Sequence, residues 1–163
     1  MRIYHHIKNT TVLKHIDITP LTPADVDTAT EIWLESSIQA HSFIPAEYWR
    51  SKADEMKNVW LPSSESWVLR SGEKIIGFYS LVENRLAALF VLPSAHGKGL
   101  GKQLLEHAKM QRTALTLTVY KENLSAYKFY LSQGFQMTGE QTDEHTGHLE
   151  YTMHSEGQTC SKE

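Results

Sequence analysis

The hydrophobic period changes several times along the chain, and each change marks an element. Residues 14–21, KHIDITPL, alternate apolar and polar positions, the period of a half-buried strand. Thr22-Pro23-Ala24-Asp25 then reads as a helix start, with Thr22 as cap, Pro23 in the first turn and an acid at the third position. Val26, Ala29, Ile32 and Trp33 follow at helical spacing, which predicts a first helix fading near Ser37. The segment HSFIPAEYWRSKADEMKNVWL, from His41, reads as a loop entering a second helix with Pro45 near its start; Pro62 and the serines after it mark the next break. Three apolar segments come next, separated by a turn at Ser71-Gly72 and a corner at Glu83-Asn84, which predicts an antiparallel meander. From Gly99 the helical period returns, with Leu100, Leu104, Leu105 and Ala108 on one face. Leu115, Leu117 and Val119 alternate with Thr116 and Thr118 as a half-buried strand. Asn123 is placed to cap another helix, carrying Ala126, Phe129 and Tyr130 on one side, and GFQMT and HLEYTM close the chain as two strands.

The predicted order is thus strand, two helices, three strands, helix, strand, helix, two strands. There is no internal repeat, low-complexity tract or sign of a second domain, so the expectation is one domain over 1–163, with a core at about 14–154 and a polar tail from about 155.

Composition narrows the function classes. The chain is 40% hydrophobic and 21% charged, the balance of a globular protein. A net charge of -3 argues against a partner in nucleic acid. No apolar run approaches the ~18 residues of a membrane span, and residues 1–15 lack the apolar stretch of a signal peptide. Cys160, the only cysteine, lies in the polar tail, which excludes an internal disulfide. These features lead us to expect a soluble cytoplasmic protein with no membrane partner. The nine histidines include His5-His6 and the pair His145 and His148, but no zinc-type spacing, so no metal is expected.

The candidate chemistry sits in His96-Gly97-Lys98-Gly99-Leu100-Gly101, between the third meander segment and a helix. Strand, glycine loop and helix are a general means of holding phosphate: the first helical N–H groups lack partners and the helix dipole favours an anion. Two nucleotide readings fail on context. A Walker loop needs Ser or Thr where Gln103 follows Gly101-Lys102, and a dinucleotide fingerprint needs a different glycine spacing in an early β-α-β unit. Taken alone, the loop reads equally well as a turn without a ligand.

Two motifs together carry a resemblance. Val91-Leu92-Pro93 followed by His96-x-x-Gly99-x-Gly101 resembles the principal motif of the GNAT superfamily of acetyl-CoA-dependent N-acyltransferases, Gln/Arg-x-x-Gly-x-Gly/Ala after a strand ending in Val-x-Pro. The family's second motif is matched by Asn123, Ala126, Phe129, Tyr130, Gly134 and Phe135. His96 departs from the family, which usually has Gln or Arg there. The resemblance covers about residues 14–154 and extends, through residues 40–50 and 77–93, to small bacterial members, some of which acetylate protein lysines. It implies an α/β (α+β) GNAT fold: a mixed central sheet of about six to seven strands, mostly antiparallel with a splayed parallel pair, flanked by about four helices.

The resemblance also implies roles. The strand ending at Val91 splays from the Leu115–Val119 strand, and the pantetheine arm of acetyl-CoA lies in the gap against the backbone of Leu89, Phe90 and Val91. The pyrophosphate rests on the N–H groups of residues 97–102, beside His96, Gly97, Lys98, Gly99, Leu100, Gly101 and Lys102; both lysines read equally as solvated surface. Asn123 reads as a helix cap, and in the family also lies near the thioester arm. Tyr130 reads either as a core aromatic or, as the family implies, as the acid that protonates the departing thiolate.

An alkyl ammonium must lose a proton before it attacks a thioester. Glu83 is a candidate base if it faces the cleft beside Arg85, and otherwise a solvated hairpin carboxylate. His41 is a second candidate and, with Phe43 and Tyr48, a candidate acceptor wall; Trp49 reads as core. The expected function is direct N-acetyl transfer from acetyl-CoA to a primary amine of a protein lysine, an N-terminus or a small molecule. A non-catalytic acetyl-CoA sensor and a toxin acting on aminoacyl-tRNA are the alternatives, and a homodimer is compatible with the reading.

Overall fold

The computed structural model describes residues 15–156; residues 1–14 and 157–163, with Cys160, lie outside the described part. Seven strands form one sheet in the order β1-β2-β3-β4-β5-β7-β6. They are β1 (Ile16–Pro20), β2 (Glu65–Ser71), β3 (Lys74–Val82), β4 (Arg85–Val91), β5 (Ala114–Tyr120), β6 (Gln136–Thr142) and β7 (Leu149–Glu156). Every neighbouring pair is antiparallel except β4 and β5, which are parallel. The expected element order and mixed sheet are both present.

Helix α1 (Val26–Ala40) follows a 3-10 turn at Pro23–Asp25. Its start is fixed as the local chemistry requires: the Asp25 carboxylate accepts the Thr22 N–H and the Arg70 guanidinium, at 2.9 and 2.7 Å. The helix runs a turn beyond Ser37. Ser36 and Ser37 are buried, so their side chains are packed rather than free to break the helix, and His41 N–H closes the end on the Ser37 carbonyl at 3.0 Å. The second helical region is less regular than expected, passing from α2 (Ala46–Ser51) through α3 (Ala53–Glu55) and a π-turn at Met56–Trp60 into α4 (Leu61–Ser63).

Alternation along the strands divides the core in two. Leu69, Tyr79, Val91 and Leu117 face α5 (Leu100–Gln111) and α6 (Leu124–Ser132), where Leu100, Leu104, Leu105 and Ala108 are buried. Val68 and Phe78 face α1 and α2, against Ala29, Ile32, Trp33 and Trp49. Each fully buried leucine contributes about 2–3 kcal/mol, so the sheet is clamped firmly from both sides. Among the described residues no helix is long and apolar enough to cross a membrane.

The clamped sheet contains one break. Strands β4 and β5 pair only at Arg85 and Thr116, with Thr116 N–H donating to the Asn84 carbonyl at 3.0 Å. Just beyond, the register of β3 against β4 shifts from Leu81–Leu86 to Ser80–Ala88, leaving Ala87 as an extra residue. Such a bulge bends the strand that carries it. Here it turns β4 away from β5 at the point where their pairing ends.

Candidate active site

The gap is lined by backbone. Leu92 N–H donates to the Ile76 carbonyl at 2.8 Å, so by alternation Phe90 turns its polar groups towards β3, whereas Leu89 and Val91 turn theirs towards β5. With no ladder on that side, these groups form an exposed strand edge inside the molecule. The Val91 carbonyl is taken by the side chains of His96 at 2.8 Å and Ser36 at 3.5 Å. His96 thus fastens the end of β4 to the glycine loop, a role its place in the motif did not disclose. The Val91 N–H and both polar groups of Leu89 remain directed into the gap.

The loop that follows has the open, amide-rich geometry an anion seat requires. Pro93–Ala95 form a 3-10 turn that ends the strand, and Gly97 and Gly99 take φ of 79° and 75°, a left-handed conformation that glycine adopts without strain. Gly99 caps α5, and its carbonyl accepts the Gln103 N–H at 3.1 Å, so the N–H groups before Gln103 have no helical acceptor. A Cβ at Gly97 or Gly99 would meet nothing within 4 Å, so both open onto free space. At Gly101 it would meet the Phe129 ring at 3.6 Å, where α5 and α6 converge. Leu100 is a core residue that offers only its N–H, while Lys98 is exposed and Lys102 lies 3.9 Å from Glu106 on the surface.

Helix α6 closes the near side of the gap. Asn123 Oδ1 accepts the Ala126 N–H at 3.2 Å, the expected cap. That bond orients the carboxamide, so Nδ2 is the atom facing His41 Nε2 at 3.2 Å. Asn123 donates, His41 Nε2 accepts, and the imidazole proton therefore sits on Nδ1. Tyr130 is half-buried beside Phe129 and Phe135, in the same cluster as Leu89 and Val91. Its hydroxyl has no hydrogen-bond partner among the described residues, and burial pushes its pKa up, so it stays protonated and able to donate.

The other face of the gap is aromatic. His41 is buried against Phe43, Trp49 and Tyr120, with ring centroids 5.1–5.7 Å away. Burial lowers its pKa to about 4, against the opposing pull of the Ser37 carbonyl, although Nδ1 and that carbonyl do not meet full hydrogen-bond geometry. His41 is therefore neutral at pH 7. Phe43 and Tyr48 are half-buried at the same mouth. Tyr120 and its partner Asp143, joined by a hydroxyl–carboxylate hydrogen bond, also lie there. Tyr120 ends β5, three residues before the second motif begins at Asn123, so its place in the sequence is a signal; Asp143 sits in the β6–β7 loop, where no pattern marks it.

Glu83 is not brought to this site. It forms the β3–β4 turn with φ of 54°, and its carbonyl accepts Arg112 Nε at 2.8 Å. Arg85 lies at the paired end of β4 and β5, six residues or about 20 Å along the strand from Val91. The turn that made Glu83 look available is at the closed end of the gap.

Comparison with known proteins agrees with this geometry. The model of the acetyltransferase (GNAT) domain matches residues 29–155. The peptidyl-lysine N-acetyltransferase YiaC of Escherichia coli is 40% identical over 108 residues, 66% of this chain and 74% of YiaC. The solution structure of apo YjaB from Escherichia coli superposes with a TM-score of 0.78 at 28% identity, covering 88% of this chain and 99% of YjaB. The PaiA N-acetyltransferase of Thermoplasma acidophilum, solved with coenzyme A, shares the fold at a TM-score of 0.69 and 23% identity, over 87% and 99% of the two chains. Motifs, sheet break and family match converge, and this chain belongs to the GNAT family of acetyltransferases.

Proposed function

We propose that this protein transfers the acetyl group of acetyl-CoA directly to the side-chain amine of a protein lysine. The observation that carries the proposal is the single Arg85–Thr116 pair between β4 and β5, beyond which a strand edge, an anion seat and an unpartnered phenol surround one gap. The acceptor class is supported by the names of YiaC and YjaB, both peptidyl-lysine N-acetyltransferases.

Acetyl-CoA supplies an activated acyl group on a thiol that leaves readily. The residues around the gap fit it. Leu89 and the Val91 N–H hold the amide-bearing arm as a neighbouring strand would, and the Val91 N–H is also the donor available to the acyl oxygen. The N–H groups of Gly97 to Lys102 receive the pyrophosphate, with Lys98 adding charge. Phe90 packs on the acceptor side of β4. Asn123 steadies the arm's near wall while capping α6, and Tyr130 gives its proton to the leaving sulfur and is reprotonated by the second proton that the acylated nitrogen sheds through solvent.

Neither candidate base among the described residues serves. Glu83 is at the far end of β4, and a neutral His41 whose Nε2 is occupied is too weak to take a proton from an alkyl ammonium. The acceptor loses its proton to water. The test is thiol release from acetyl-CoA across lysine peptides, polyamines and aminoglycosides. Lysine peptides should give the highest kcat/KM, and amine-independent thiol release alone would overturn the proposal.

A further inference from the structure

The acceptor mouth combines aromatic faces with one carboxylate. Phe43 packs edge-on to Tyr120 at 5.7 Å and against His148 at 5.1 Å. Tyr48 is close enough to Asp143 for the carboxylate's charge to add to burial in raising its pKa. All four rings are half-buried, so each keeps part of its surface open to solvent. At their centre the Tyr120 hydroxyl donates to Asp143 Oδ2, which also accepts Thr146 Oγ1 at 3.1 Å, while Oδ1 accepts the His145 N–H at 2.9 Å.

These bonds determine what Asp143 can do. Burial pushes its carboxyl up, but the donors from Tyr120, the His145 backbone and Thr146 outweigh that and hold it below the ordinary carboxylate range. Asp143 is thus a fixed anion and a poor proton acceptor. Lys121 pairs instead with Glu140 at 2.9 Å and His148 lies 3.4 Å from Glu122, while the exposed His145 ring adds its charge to the donors that lower the Asp143 pKa. The Tyr120 oxygen keeps a lone pair for a donor, and the surrounding ring faces attract a cation.

We infer that Tyr120 and Asp143, within the ring of Phe43, Tyr48 and His148, form the seat that selects a cationic alkyl ammonium as acceptor. The inference rests on the acetyltransferase reading and adds its specificity determinant. The ammonium donates to the Tyr120 oxygen while Asp143 supplies the opposing charge through the tyrosine. His41, being neutral, lines the seat without repelling the incoming cation. No bond is made or broken at these residues. The amine loses its proton to water as it advances from the mouth towards Val91.

The test compares two acceptors, a lysine peptide and an aromatic amine that is uncharged at pH 7.5. If the parent protein acetylates neither, the acetyltransferase reading fails and the seat goes untested by that route, so peptide binding to the CoA-bound protein is measured by calorimetry alongside. Asp143→Asn should lower the ratio of kcat/KM for the peptide to that for the aromatic amine about tenfold, and weaken peptide binding by a similar factor. The loss should appear in KM rather than kcat. Tyr120→Phe, which keeps the ring, should shift the ratio in the same direction, guarding against a loop that collapses in Asp143→Asn. An unchanged ratio and unchanged peptide binding in both variants would overturn the seat. Equal losses on both acceptors would also overturn it, because they would mark a structural role for the β6–β7 loop.

Discussion

At the residue scale, the proposed chemistry rests on groups kept in one protonation state by their surroundings. Tyr130 is kept protonated by burial, and a placed phenol typically contributes about 100-fold or more to departure of a leaving group. CoA thiolate leaves easily, so Tyr130→Phe should lower kcat roughly 10- to 100-fold with acetyl-CoA affinity and thermal stability near those of the parent; steady-state kinetics beside a melting curve checks it. His41 is kept neutral, and the sign of its effect on stability follows. The unfolded chain binds the proton near the ordinary histidine value of 6.5 and the folded chain only near 4, so the buried ring's contribution is intact above about pH 6.5 and is lost as the pH falls towards 4. The loss is at most about 3–4 kcal/mol, and in His41→Gln the slope of unfolding free energy against pH over that window, from urea titrations, should flatten. Gly99 joins a left-handed φ to open space, where the proposed cofactor seat lies. Gly99→Glu should therefore remove the thermal shift caused by acetyl-CoA, since it places a carboxylate in the proposed pyrophosphate seat, and a parent-sized shift would exclude this loop as the seat.

At the element scale, what can be read from the sequence depends on how local its cause is. Capping at Asn123, the apolar face of α5 and the turns at 71–72 and 83–84 are set by neighbouring residues, and all are found where the pattern places them. The end of α1 is not so local. It depends on Ser36 and Ser37 being buried, which the rest of the fold decides. Glu83 shows the same limit: the corner is legible, but which end of the β4–β5 gap it occupies depends on a pairing between strands about thirty residues apart. The splay itself depends on the Ala87 bulge and on close packing behind β4. Gly77 supplies that packing, since a Cβ there would stand 2.8 Å from the Phe90 carbonyl oxygen and 3.2 Å from Leu104 Cδ1. Gly77→Ala should destabilise the fold by about 1–3 kcal/mol in urea unfolding, because backbone on one side and a packed core on the other leave little room to yield.

At the scale of the whole molecule, two cores clamp a sheet that parts at one place, and the aromatic mouth and the phenol lie on opposite faces of that opening. On the proposed reading, donor and acceptor approach from different sides and meet at the end of β4. The glycine loop, the second motif and the order of elements were legible; the acceptor face was only partly so, because Tyr120 and Asp143 are brought together by strands β5, β6 and β7 rather than by any spacing. With water as the proton acceptor, kcat/KM for a lysine peptide should keep rising with pH towards the amine's own pKa, and a plateau above pH 7 would indicate a side-chain base. All of these assignments depend on the acyl arm lying against the free edge of β4. Amide hydrogen exchange at Leu89 and Val91, followed by NMR with and without saturating acetyl-CoA, tests this directly. Occupancy of the gap should slow exchange at both amides by about an order of magnitude or more, as added strand pairing does. Unchanged exchange at both amides in the saturated protein would place the arm elsewhere and contradict the account.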